Sequence, residues 1–71
     1  MNLVSDHPIP TYGMNGKTFK LQLSFTEYYG YICPNKSETV DAIWDSVNEC
    51  FFESKTNKEI FTECIVAWEI K

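Results

Sequence analysis

Residues 37–54, SETVDAIWDSVNECFFES, constrain the fold most because their apolar positions follow a helical period. The apolar residues of this period are Val40, Ile43, Trp44, Val47 and Phe51. Such spacing places side chains on one stripe of an amphipathic helix, which then faces the core. We therefore predict a helix over residues 37–54 that packs on the rest of the chain.

Acidic residues occupy the opposite side of this predicted helix, and no Lys or Arg interrupts them. They are Glu38, Asp41, Asp45, Glu49 and Glu53. Like charges four residues apart destabilise a helix by about 0.2–0.5 kcal/mol per pair, so selection for stability alone would interleave Lys. The acidic side is therefore a candidate binding surface, and the alternative is a solvated face that keeps the domain soluble.

A strand is predicted before this helix, at residues 17–25. Alternation puts four apolar side chains on one face: Phe19, Leu21, Leu23 and Phe25. This alternation is typical of a strand with one buried face. Asn15 and Gly16 predict a hairpin turn that joins it to a short edge strand at residues 11–14.

Two further segments favour strands. Aromatic and β-branched residues predict one at residues 28–33, after a tight turn at residues 26–27. Residues 59–71 fit a helix or a strand, and we favour the strand because a helix would leave Val66 and Ile70 exposed. Pro8 and Pro10 exclude a helix at residues 7–10, so residues 1–10 are predicted to form an irregular arm.

The chain is thus predicted to be one α+β domain over residues 1–71, in the order (β)ββαβ. It would contain a small, mostly antiparallel sheet of three or four strands, with one helix packed on one face. A chain of 71 residues has little room for both a core and an enclosed pocket, which argues against an enzyme. Its net charge of −4 disfavours nucleic acid and anionic membranes and suits a partner with a basic surface.

Neither a cofactor nor a metal site is expected. Cys33, Cys50 and Cys64 are widely spaced, whereas structural zinc sites use close ligand pairs. His7 has no neighbouring nucleophile that its arm would hold in place. Unpaired cysteines, the lack of a secretory signal and the lack of a long apolar run favour the cytoplasm.

The sequence therefore predicts a small, acidic, non-enzymatic protein-binding module. We expect the contact to be made by the acidic residues Asp41, Asp45, Glu49 and Glu53, with Tyr28 and Tyr31 as anchors. The tyrosines have a second interpretation, which is packing within the sheet. A helical rise of about 6 Å between acidic residues is comparable to the phosphate spacing of a nucleic-acid strand, so the row would mimic DNA.

In size and layout, though in no motif, the chain is similar to small phage-encoded proteins that inhibit host enzymes or defence complexes. That likeness implies an inhibitor of the anti-CRISPR or anti-restriction type, acting in the host cytoplasm on a basic, nucleic-acid-binding surface. The alternative is a structural or assembly protein that forms a homo-oligomer, such as a homodimer, through an exposed sheet edge.

Overall fold

The fold is built around a central strand whose side chains alternate as the sequence predicts. The computed structural model describes residues 1–25 and 36–71. Its strands are β1 Asn2–Leu3, β2 Thr18–Phe25, β3 Lys36–Asp45, β4 Cys50–Glu53, β5 Glu59–Ile60 and β6 Ile65–Ile70, with a 3-10 turn at Thr62–Cys64. The predicted strand at residues 17–25 is confirmed as β2, and Phe19 and Leu21 are completely buried.

The six strands form one sheet in the order β1-β6-β2-β3-β4-β5, and every neighbouring pair is antiparallel. β2 lies between β3 and β6, with Leu21 opposite Val40 on one side and Trp68 on the other. Directly opposite residues share a face of an antiparallel sheet, so these three side chains lie together. We call this the inner face and the other, which carries Lys20 and Asp41, the outer face.

The prediction of an α+β fold with a helix at residues 37–54 is wrong. These residues form β3, a turn and β4, and the described part of the chain contains six strands and the 3-10 turn. Val40 and Trp44 satisfy a period of two as well as a helical period, and with Ala42 between them they face inward. Pairing of residues 36–43 with β2 decides between the two periods, because tertiary contacts override local propensity.

The core on the inner face is an aromatic cluster that joins four strands. The Phe51 ring lies 5.2 Å from that of Phe19, edge on, and 4.9 Å from that of Trp44. Phe19 also makes an edge contact with Trp68 at 6.4 Å. Such rings bury large areas and add directional contacts, which suits a chain too short to build a deep core.

The N-terminal residues are more ordered than the irregular arm that we predicted for residues 1–10. Asn2 and Leu3 form β1, which pairs with β6, and the Val4 N–H donates to the Val66 carbonyl at 3.0 Å. Trp68 Nε1 donates to the His7 carbonyl oxygen at 2.7 Å. The prolines exclude a helix but leave the residues before them free to extend and pair.

The predicted edge strand at residues 11–14 is also wrong. The Met14 N–H donates to the Thr11 carbonyl at 3.1 Å, and the Lys17 N–H donates to the Met14 carbonyl at 2.9 Å. Gly13 and Gly16 hold positive φ angles at the third position of each turn, as type II turns require. A hairpin of type I′ would need a positive φ at the residue before Gly16 too, so the chain turns here without forming a hairpin.

The tail is a strand at its end, as predicted, but not along its whole length. Residues 59–71 contain β5, the 3-10 turn and β6. The register between β2 and β6 shifts after Gln22, so that Ala67 opposes Gln22 while Ile65 opposes Leu23. This bulge lets both Ile65 and Trp68 face inward. The predicted strand at residues 28–33 and the turn before it lie outside the described residues.

Replacement of Phe51 by Ala should remove about 3–5 kcal/mol of unfolding free energy, because it empties the middle of the aromatic cluster. Phe61→Ala is the matched control, since Phe61 is 60% exposed and its truncation should change stability by about 0.5 kcal/mol or less. Urea denaturation followed by tryptophan fluorescence measures both. Equal effects of the two substitutions would contradict the assignment of the core.

Candidate protein-binding surface

An apolar pair lies exposed on the outer face of β3 and β4. Ile43 is directly opposite Phe52, and the same cross-strand row continues to Thr18 on one side and Glu59 on the other. Ile43 is 40% exposed and Phe52 is half-buried. An apolar contact of this kind on the solvent side of a sheet is a candidate for a binding surface.

The turn between β3 and β4 adds a third apolar side chain and holds it rigidly. Asp45 Oδ1 accepts hydrogen bonds from the N–H groups of Val47 at 2.9 Å and of Asn48 at 3.2 Å. Asn48 Nδ2 donates to Asp45 Oδ2 at 2.9 Å. The Ser46 N–H donates to Asn15 Oδ1 at 3.0 Å, which ties the turn to a second loop. Val47 is 86% exposed at the top of this hydrogen-bonded turn.

These three apolar residues line one side of an open hollow of about 420 Å³. Its other walls include Asn15, Asp45, Ser54 and Asn57. We call Ile43, Val47 and Phe52, with the nearby carboxylates Asp45, Glu49, Glu53 and Glu59, the hairpin surface. The hollow is shallow and open, which suits a protruding side chain of a protein partner better than an enclosed small molecule.

The electrostatics of the hairpin surface are negative. Hydrogen bonds from the Asn48 side chain and then its N–H lower the pKa of Asp45, so this carboxylate is ionised at neutral pH. Burial raises the pKa of the Cys50 thiol, and the negative charges of Glu59 and Asp45 raise it further. Cys50 is therefore a protonated thiol and a poor nucleophile. The residues lining the hollow include no Lys.

The acidic residues that the sequence assigned to one helical row are dispersed. Asp41 lies on the outer face, where Lys71 Nζ donates to it at 2.6 Å and lowers its pKa. Asp45 caps the turn, and Glu49 follows in the same turn with a φ of 54°. Glu53 ends β4 opposite Ala42 and is half-buried. Asp45 and Glu49 thus share one turn and Glu53 lines the same hollow as Asp45, whereas Asp41 does not line it.

The apolar members of the hairpin surface were missed by sequence reasoning. Ile43 and Val47 were assigned to the buried stripe of the predicted helix, yet both are exposed. One feature of the sequence could have identified Ile43. If Ala42 and Trp44 face inward on a strand, the apolar residue between them faces outward. Tyr28 and Tyr31, the predicted anchors, lie outside the described residues.

The described residues contain no group of three or more His, Cys, Asp or Glu placed to hold a metal ion. Cys50 is buried and Cys64 half-buried, and both are free thiols. Within residues 1–25 and 36–71, no helix is long and apolar enough to cross a membrane.

Comparisons with protein-family models, curated proteins and solved structures give no match to this chain.

Removal of the Asn48 side chain should raise the pKa of Asp45 toward its ordinary value of 3.8, because the largest cause of the lowered pKa is lost. An NMR titration of the Asp45 carboxyl carbon in the native protein and in Asn48→Ala measures this change.

The same carboxylate makes stability depend on pH. Its pKa is lower in the folded than in the unfolded chain, so its contribution is present above the unfolded pKa and is lost as pH falls through the folded pKa. Asn48→Ala should weaken this acid dependence of the urea midpoint. An unchanged Asp45 titration would contradict the described turn.

Proposed function

We propose that this protein is a small, non-enzymatic binding module that uses the hairpin surface to contact a partner with a basic surface. The observation that carries the proposal is the exposure of Ile43 and Val47 at a rigid turn surrounded by carboxylates. Interfaces of soluble proteins commonly combine an apolar centre with a polar or charged rim.

The apolar centre would supply affinity. Burial of a valine or isoleucine side chain at an interface contributes about 1.5–3 kcal/mol. Val47 lies in a turn that four hydrogen bonds hold, three of them to Asp45 and one to Asn15. Binding would therefore order little additional chain, and more of the burial energy would appear as affinity.

The carboxylates would orient the partner and accelerate its association. Asp45 and Glu53 line the hollow beside the apolar centre, and Glu59 lies opposite Phe52. Glu49 belongs to the same turn as Val47, and the whole chain carries a net charge of −4. A negative surface attracts a positive one over several ångströms and accelerates association at low salt. This complementarity supports a basic partner, and an inhibitor that covers a nucleic-acid-binding surface is one form of it.

The helical row of carboxylates cannot be the mechanism, because β3 and β4 replace the helix. Asp41 is moreover paired with Lys71. We retain only the proposal that this acidic protein binds a partner with a basic surface.

The alternative, a homo-oligomer formed through a sheet edge, has less support at the outermost strands. β1 and β5 contain two residues each. Short edge strands are one of the means by which sheets avoid pairing with other molecules.

The test compares Val47→Ser with Val66→Ser, a matched substitution of a valine that is 37% exposed in β6. Each immobilised protein would be incubated with lysate of its source cells, and retained proteins would be quantified by mass spectrometry. We expect one basic protein to be retained by the native chain and by Val66→Ser, and retained roughly tenfold less by Val47→Ser, since about 1.4 kcal/mol corresponds to a factor of ten.

The charge of the rim is tested by Glu49→Lys, with Glu63→Lys as the control on the exposed 3-10 turn. Glu49→Lys should slow association with the same partner and reduce its dependence on salt. Equal retention by the native chain, Val47→Ser and Glu49→Lys, with NMR spectra showing that all are folded, would refute the proposal.

A further inference from the structure

The loop before β2 contains an asparagine followed by a glycine, Asn15 and Gly16, and both residues are exposed. Asparagine is a labile residue, because the backbone nitrogen that follows it can attack its side-chain amide. A side chain on the following residue obstructs that attack, and Gly16 has none. Apart from its two neighbours, no atom of the described residues lies within 4 Å of the position that a Cβ of Gly16 would take. The space that the reaction needs is therefore open at this dipeptide.

The reaction that this dipeptide favours is deamidation. The Gly16 N–H loses its proton to water or hydroxide, and the nitrogen lone pair forms a bond to Asn15 Cγ. The bond between Cγ and Nδ2 breaks, and the amide nitrogen takes up a proton and leaves as ammonia. Water then opens the cyclic imide at either carbonyl, which yields aspartate or the isomer whose main chain runs through Cγ. Asparagine and water thus give an acid and ammonia, without an enzyme or an oxidant.

The folded chain slows this reaction without preventing it. The Gly16 N–H donates to the Trp44 carbonyl at 2.9 Å, so the proton that must leave is held in a hydrogen bond. The Lys17 N–H donates to the Met14 carbonyl at 2.9 Å and closes the turn. Attack therefore requires a brief opening of residues 14–17, which precede β2. Opening of an exposed loop costs less free energy than unfolding of the whole domain.

Asn15 connects this loop to the hairpin surface, so its conversion changes that surface. Asn15 Oδ1 accepts the Ser46 N–H at 3.0 Å, and Asn15 lines the hollow together with Asp45 and Glu53. A carboxylate at position 15 can accept the same hydrogen bond, which a charged acceptor strengthens. The aspartate product thus keeps the two loops connected and adds a third carboxylate to the hollow. The isomer has one more carbon in the main chain, which displaces the turn.

We propose that Asn15 is a site of spontaneous deamidation, which adds a negative charge to the hairpin surface as the protein ages. The reaction is selective for this position, because Asn48 and Asn57 precede Glu49 and Lys58, whose side chains obstruct the attack. The added charge strengthens attraction of a basic partner. That effect rests on the function proposed above, whereas the conversion itself does not.

The conversion is tested without a partner, by incubating the full chain at mildly alkaline pH and following each asparagine by proteolysis and mass spectrometry. In the folded chain, Asn15 should convert several-fold faster than Asn57, which is exposed as well. In guanidinium chloride, Asn15 should convert about tenfold faster still, because the hydrogen bonds that hold its turn are absent. Conversion of Asn15 no faster than that of Asn57, or at the same rate with and without guanidinium chloride, would overturn the proposal.

Two variants test the consequence of the added charge. Asn15→Gln keeps the amide but cyclises far more slowly, so it should remain unconverted. Asn15→Asp should keep the Ser46 N–H protected from hydrogen exchange. It should also raise the pKa of Asp45 relative to the native chain and Asn15→Gln, since both carboxylates then line one hollow. If Asn15→Asp left the NMR titration of Asp45 unchanged, the charge would not reach the hairpin surface, and the proposal would be wrong.

Discussion

Burial of β2 between two antiparallel neighbours is the constraint on which the rest of the structure depends. Phe19, Leu21 and Leu23 are inaccessible only because β3 and β6 both pair with this strand and bring their own apolar side chains to the inner face. β6 reaches it from the far end of the chain, so the core closes through contacts between distant segments. Of the remaining strands, β1 pairs with β6, β4 with β3, and β5 with β4.

The prediction from the sequence failed mainly where apolar residues fit both a helical period and a period of two. Alternation in β2 is unambiguous and was predicted correctly. Val40 and Trp44 satisfy a helical period and a period of two equally well, and only their partners on β2 decide between them. The turn after β3 was not predicted, because Val47 also fits the helical period. Asp45 and Asn48 are nevertheless common turn residues, whose side chains can bond to nearby backbone groups.

The candidate surface was less predictable than the fold, because it uses residues of the wrong type for their position. Ile43 faces solvent, and Val47 is fixed at the top of a turn where polar residues are usual. Glu49 adopts a left-handed conformation that glycine or asparagine would adopt at less cost. Residues that lower stability in this way concentrate at functional sites. Here three of them, Ile43, Val47 and Glu49, occur within seven residues. Composition alone correctly indicated the negative charge but not its arrangement.

The placement of residues 37–54 in two paired strands and the turn between them is the claim that supports the hairpin surface. Nuclear Overhauser contacts between α-protons test it most directly, because such contacts are short at non-hydrogen-bonded pairs of antiparallel strands. The structure predicts strong contacts between Trp44 and Phe51 and between Ala42 and Glu53. Contacts between residues three apart along residues 37–54, without these cross-strand contacts, would show a helix and contradict the account.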